Sequence, residues 1–232
     1  MLDTKPSNVP GIGTFKSVLP FHSTRNPVRP SGRGFRGKFS SRKMGRMVRC
    51  ESLLEMAAVE LAEFSRGVVA IDEQPVNITY QLDGKSRRYT PDFRFKWENG
   101  EQWYVEVKPL ELLNEPANIA RFAAIARFFE AQGAAFVVLT ERQLKLPVRN
   151  KQIKYLLRYM PRVPTAVPVQ ILQQWCPGHS FSFLEAERML GGSSQLLGLL
   201  AQRTLVCDLD KPRSPDTVVR LFCEGDDHAL FA

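Results

Sequence analysis

The sequence is poor in the residues that build zinc sites and disulfide frameworks. Its 232 residues include four cysteines and three histidines. Cys50, Cys176, Cys207 and Cys223 form no Cys-x-x-Cys pair, and His22, His179 and His228 stand far apart, so no zinc site can be read from the spacing. Scattered cysteines of this kind fit a reducing compartment. There is no run of about eighteen apolar residues, and the first thirty residues hold prolines and charges rather than an apolar leader core. A cytoplasmic protein with no membrane partner is therefore expected. Acidic residues are almost missing from the first fifty positions, where Asp3 is the single acid.

What is there begins with that imbalance. The chain carries 32 Lys and Arg against 24 Asp and Glu. Eleven of the basic residues lie in residues 1–50, so the excess of positive charge belongs to the N-terminal arm and the remainder is nearly neutral. A basic arm on a neutral body points to a polyanion, most simply nucleic acid, and otherwise to a solubilising tail. Prolines 6, 10, 20, 27 and 30 and the Gly/Arg-rich stretch SGRGFRGKFSSRKMGRMVR make residues 1–50 read as irregular. Arg33, Arg36, Lys38, Arg42, Lys43 and Arg46, with Phe35 and Phe39 interleaved, are the candidate phosphate contacts.

Regular structure is expected from Ser52 onward. SLLEMAAVELAEFS is rich in good helix formers and ends before Gly67. VVAIDE, NITYQL, Tyr89–Trp97 and QWYVEVK read as strands, with turns at Asp83-Gly84 and Glu98-Asn99-Gly100. An amphipathic helix over 114–132, a buried strand AAFVVLTE and a helix over 148–160 complete an α-β-β-β-α-β order, which implies a mixed sheet flanked by helices. Prolines 161, 164 and 168 mark a boundary. Beyond it, VPVQILQQW, FSFLEAERML and GGSSQLLGLLAQR read as three helices, and TLVCDL and TVVRLF as two strands, a winged-helix pattern. Three parts result: an arm over 1–45, an α/β domain over 46–163 and a winged-helix-like domain over 164–232. In the last, Ser193, Ser194, Gln195, Gln202 and Arg203 are expected on the outside, on a helix suited either to DNA or to a protein partner.

The chemistry concentrates in YTPDFRFKWENGEQWYVEVKP, residues 89–109. With Asn99 at the turn centre, residue n faces residue 198−n, which sets Asp92 across from Glu106. Opposed Cβ atoms lie about 4.5–5.5 Å apart. Lys108, two residues past Glu106, shares that face, while Phe93, Phe95, Trp97, Trp103, Val105 and Val107 form the apolar one. A slip of one residue would separate the pair. Two adjacent carboxylates repel unless a cation lies between them. Hard oxygen ligands suit Mg²⁺, with Mn²⁺ as a substitute. A lysine beside them can orient a metal-bound water or offset charge on a phosphate. The arrangement fits metal-dependent phosphodiester hydrolysis; its plain alternative is a cross-strand ion pair on a solvated sheet.

Pro91-Asp92 followed by Glu106-Val107-Lys108 matches the PD-(D/E)XK nuclease signature. The ordered series ESLLE, EQPV, YTPDF, YVEVKP more narrowly resembles the TnsA endonuclease family, over roughly residues 40–160 and into the C-terminal region. The resemblance implies a restriction-endonuclease-like α/β fold and a Mg²⁺-dependent endonuclease that cuts the 5′ ends of a cut-and-paste transposon. Its implied partners are double-stranded DNA at the transposon ends, a TnsB-like DDE transposase and a TnsC-like AAA+ ATPase. Residue by residue, it makes Asp92 the central metal ligand, Glu106 the second ligand and Lys108 the catalytic lysine. Glu55 matches the helix carboxylate, in preference to Glu51. Ser52-x-x-Glu55 also reads as a helix capping box, and Gln74 stands either near the site or as a strand-pinning hydrogen bond. A free-standing nuclease and a non-catalytic DNA-binding assembly factor are the competing readings.

Overall fold

Asp83 and Gly84 both take positive φ, 53° and 69°, and close a tight hairpin between β4 (Ile78–Leu82) and β5 (Lys85–Tyr89). The turn is where the Asp-Gly pair predicts it, because glycine tolerates the left-handed region and aspartate enters it at low cost. A computed structural model of the chain describes residues 37–160, 175 and 178–232. Its elements are mixed α and β.

By internal contacts the chain divides into two units. One comprises residues up to Glu63 with Gly67–Leu144, and the other Lys145–Phe231 with Phe64–Arg66. The first unit holds β1 (Gly37–Ser41), β2 (Arg46–Cys50), α1 (Leu53–Phe64), β3 (Val68–Glu73), the β4–β5 hairpin, β6 (Phe93–Trp97), β7 (Gln102–Val107), α2 (Leu110–Leu113), α3 (Pro116–Ala131), β8 (Ala135–Leu139) and α4 (Glu141–Leu144). Its central sheet has the order β3-β6-β7-β8. β7 pairs antiparallel with β6 and parallel with β8, so the sheet is mixed as expected.

Two expectations fail here. Residues 37–50 are not irregular: β1 and β2 form an antiparallel hairpin. Glu63 of α1 explains it, since its buried carboxylate accepts from the Ser41 hydroxyl at 2.7 Å and from the Arg42 backbone N–H at 2.8 Å. A long-range carboxylate anchors this turn, and no local periodicity announces that. The strand read as continuous from Tyr89 to Trp97 is also broken. Tyr89 ends β5 and Phe93 begins β6, with Thr90, Pro91 and Asp92 between them. Pro91 has no N–H for a ladder, so the chain leaves one sheet there and enters another.

Both faces of the central sheet are buried. Phe93, Phe95, Trp97, Trp103, Val105 and Val107 form the apolar face as predicted. The other face is covered too, because Tyr104 stacks on Phe129 of α3 at 4.4 Å and packs with Ile78, Tyr80 and Tyr89 of the β4–β5 hairpin. Arg94 is buried there with its guanidinium on Asp72.

The second unit contains α5 (Pro147–Leu157), β9 (Ser180–Ser182), α6 (Phe183–Met189), α7 (Ser193–Ala201), β10 (Leu205–Cys207) and β11 (Val218–Leu221). The strands form a sheet in the order β10-β11-β9. α5, placed in the first domain by the sequence reading, belongs to this unit. The boundary at 163/164 and most of the helix read over 167–175 lie outside the described residues. Arg203, expected outside, is buried and donates to Asp227 at 2.8 Å. An arginine is kept inside when a buried carboxylate meets it. Among the described residues no helix is long and apolar enough to cross a membrane.

Candidate active site

The register of β6 and β7 pairs Phe93 with Val105 and Arg94 with Tyr104, the pairing that the turn at Asn99 dictates. Carried one step further, it sets Asp92 opposite Glu106. Two hydrogen bonds fix Asp92 at this junction: its carbonyl accepts from the Gln74 N–H at 2.8 Å, and its Oδ2 accepts from the Val107 N–H at 2.7 Å. Lys108 stands at the end of β7, where its N–H donates to Leu139 of β8 at 2.9 Å. Its Nζ lies 3.8 Å from Oε1 of Glu106.

Burial dominates the electrostatics. It pushes the Asp92 carboxyl well above the usual carboxylate range, and repulsion from Glu106 and then Glu55 adds to that, against the Val107 N–H and Lys108. Burial also raises Glu106, opposed by the Tyr89 hydroxyl, Lys108 and Arg121. Two adjacent carboxylates, Glu106 buried and Asp92 half-buried, that each favour the proton constitute a site with unmet demand for positive charge.

Glu55 adds a third carboxylate at the edge. Burial raises it, and Glu106 is among the charges that act on it. Its hydrogen bonds are those of a helix start: Oε2 accepts from the Glu51 N–H at 2.7 Å, and its own N–H donates to the Ser52 hydroxyl at 3.0 Å. Thus Glu55 caps α1 and lies within electrostatic reach of Asp92 and Glu106. Among the described residues no three His, Cys, Asp or Glu side chains form a group close enough to hold a metal. The expected Glu55–Asp92–Glu106 ligand set is therefore not closed in this arrangement. Asp92 and Glu106 supply the hard, anionic oxygens that Mg²⁺ accepts, and that ion commonly takes only one or two carboxylates. Glu51 is engaged differently, accepting from the side-chain amide of Gln74 at 3.2 Å. Gln74 thereby does both things open to it: its backbone pins Asp92 and its side chain reaches the start of α1.

Two residues at the site escaped the sequence reading. The Tyr89 hydroxyl donates to Oε2 of Glu106 at 2.5 Å. Arg121, from α3, lies over the Tyr89 ring at 5.4 Å and draws Glu106 toward its charged form. Tyr89 ends a hairpin whose partner strand is remote from β7, so its reach to Glu106 is tertiary. The signal for Arg121 was an arginine beside the apolar stripe of α3.

The candidate phosphate contacts separate into three groups. Arg33 and Arg36 lie outside the described residues. Lys38 and Arg42 are exposed. Lys43 is half-buried and Arg46 stays exposed, and both are engaged by groups of the fold. The ammonium of Lys43 donates to the carbonyls of Ala62 and Val68, and Arg46 makes a two-pronged ion pair with Glu73. Each is bonded to groups of the fold, while the Arg46 side chain remains 42% exposed.

Residues 65–141 match the model of the family described as TnsA-like endonuclease N terminal. The match includes Asp92, Glu106 and Lys108 and stops short of Glu55. No curated protein matches the chain.

Proposed function

We propose that the chain, whose residues 65–141 match the TnsA-like endonuclease N-terminal model, hydrolyses DNA phosphodiester bonds at transposon ends, in a PD-(D/E)XK, restriction-endonuclease-like site, together with a DDE transposase. The observation that carries this reading is the opposition of Asp92 to the buried Glu106, with the Lys108 ammonium beside them.

Asp92 and Glu106 would hold a Mg²⁺ ion, and Glu55 would lend its charge from the end of α1. When bound, such an ion supplies Lewis acidity toward a phosphate oxygen and an easily deprotonated water. The chain's own groups do the rest. The Val107 N–H fixes one oxygen of Asp92 and leaves the other to face the site. The Tyr89 hydroxyl and Arg121 favour ionised Glu106. Lys108 stands where it can orient the attacking water or offset charge on the scissile phosphate as the P–O bond to the leaving sugar oxygen breaks. The second unit's three helices and three-stranded sheet are read as a winged-helix variant, and a TnsC-like AAA+ ATPase as a further partner.

The test is Mg²⁺- or Mn²⁺-dependent cleavage of plasmid carrying the transposon ends, mapped by strand, with and without the transposase. Cuts at the 5′ ends only with the partner, lost in Asp92→Ala, are expected. Cleavage elsewhere by the protein alone would assign a free-standing nuclease. No metal-dependent cutting while the partner cuts its own strands would leave a DNA-binding assembly factor.

A further inference from the structure

α5 carries Arg149, Lys151, Lys154 and Arg158 and not one acidic residue between Pro147 and Arg158. Gln152, Ile153 and Leu156 are its buried positions. Lys151, Lys154, Tyr155 and Arg158 are exposed, at the i, i+3, i+4 and i+7 positions of a single face. Like charges at these spacings repel along a helix. A ligand of opposite sign would offset that repulsion.

The face is one wall of a groove of about 850 Å³, and Pro212 and Arg213 contribute to the opposite wall. Among the described residues, four cations and no carboxylate line it. The two walls are fastened together. Gln152 donates from its side-chain amide to the carbonyls of Leu209 and Lys211 at 2.8 and 2.6 Å. Arg149 grips Asp210 through two bonds of 2.6 and 2.7 Å, which uses that charge internally. Arg213 lies over the Tyr155 ring at 4.7 Å, so its planar guanidinium is held at the rim rather than left to sample rotamers.

We propose that this groove binds the phosphate backbone of duplex DNA, as a second contact surface in the C-terminal unit. From Lys151 to Arg158 the helix rises about 10 Å. That is about three phosphate steps of one strand along a duplex axis. The row has the sign, the spacing and the preorganisation for a strand of phosphates. Its exposed groups are chiefly cationic donors, the kind that hold phosphate oxygens and position a duplex. The DNA identity rests on the endonuclease reading above; the polyanion identity rests on the groove alone. The helix that the sequence suits equally to DNA or to a protein partner, α7, gives the weaker surface, since Leu196, Leu197, Leu199, Leu200 and Ala201 are buried and Arg203 is bonded to Asp227.

The test uses the full chain and a duplex of unrelated sequence, with EDTA present, and follows binding by fluorescence anisotropy across a salt series. Lys151→Gln with Arg158→Gln is compared with wild type and with the charge-keeping pair Lys151→Arg and Arg158→Lys. The Gln pair is expected to weaken binding by about tenfold or more at 0.1 M salt and to lower the log–log salt slope by about two. The charge-keeping pair should restore both, and an unchanged melting temperature excludes unfolding as the cause. An unchanged affinity and slope in the Gln pair would overturn the proposal. So would unchanged DNA binding with loss of binding to polyglutamate, which would assign the groove to an acidic protein segment. If wild type fails to cut DNA while the Gln pair still loses salt-dependent binding, the groove stands and the nuclease reading falls.

Discussion

Val107 donates its backbone N–H to Oδ2 of Asp92 at 2.7 Å, so the residue between Glu106 and Lys108 in sequence holds the third group of the site in place. The three side chains are positioned by one strand pairing, and their geometry survives changes that keep an oxygen at that atom. Asp92→Asn keeps an acceptor for Val107 and removes the charge. It is expected to lower cleavage by about 100-fold or more with an unchanged circular dichroism spectrum. Lys108→Ala is expected to do the same. A variant with near wild-type turnover at either position would remove that residue from the chemistry.

The raised Asp92 carboxyl has a consequence for stability. Because its folded value lies above that of the unfolded chain, the native protein keeps a proton over a window in which the unfolded chain has released it. The contribution of Asp92 to stability is therefore fully present below the usual carboxylate range and is lost as pH rises through the raised value. Melting temperatures in EDTA should fall across that window in wild type and stay flatter in Asp92→Asn. Added Mg²⁺ should stabilise wild type most at the upper end of the window and Asp92→Asn little. Parallel curves for the two proteins would show that the carboxylate carries no such burden.

Tyr89→Phe deletes one hydroxyl from a buried charged contact. The lost bond should destabilise the fold by about 1.5–3 kcal/mol, measured by denaturant titration. The hydroxyl lowers the Glu106 value, so its removal lets that value rise further. The acidic limb of the pH–cleavage profile should then move to higher pH. A limb that stays put would mean that Glu106 does not titrate in the active form.

The Arg94–Asp72 pair belongs to the same sheet. Arg94 donates to Asp72 at 2.8 and 3.1 Å, with a side chain that is 3% exposed against 15% for its partner. Asp72→Ala leaves a buried guanidinium short of its counter-charge and should cost about 3–5 kcal/mol. Removing both charges, as Asp72→Leu with Arg94→Met, should cost less than the single change. Additive losses in urea titrations would contradict this.

The legible part of the site was what a short turn controls. Asn99-Gly100 fixed the pairing of β6 with β7, and period-two alternation then assigned the faces. Asp83-Gly84 did the same for β4 and β5. What was not legible depends on partners distant in sequence. The Glu63 carboxylate organises a hairpin in a stretch that looks irregular. Lys43 and Arg46, read as phosphate contacts, bond to acceptors 19 to 27 residues away. Glu55 shows both halves of the problem: the Ser52 contact is readable from spacing, whereas its nearness to Asp92 and Glu106 depends on where the helix sits.

The β6–β7 pairing has one more consequence, which concerns time. The loop between these strands is four residues long, 98–101, whereas all of α2 and α3 separates β7 from its parallel neighbour β8. Short-range pairings close before long-range ones. Asp92 and Glu106 thus meet early in folding as ordinary, hydrated acids. Their unusual appetite for protons arrives only when the helix and the last strand exclude water from them. Pulse-labelled hydrogen exchange should find the Val107 amide protected before that of Lys108, which bonds to β8. On this account the site's shape is made first and its reactivity is conferred last, by closure.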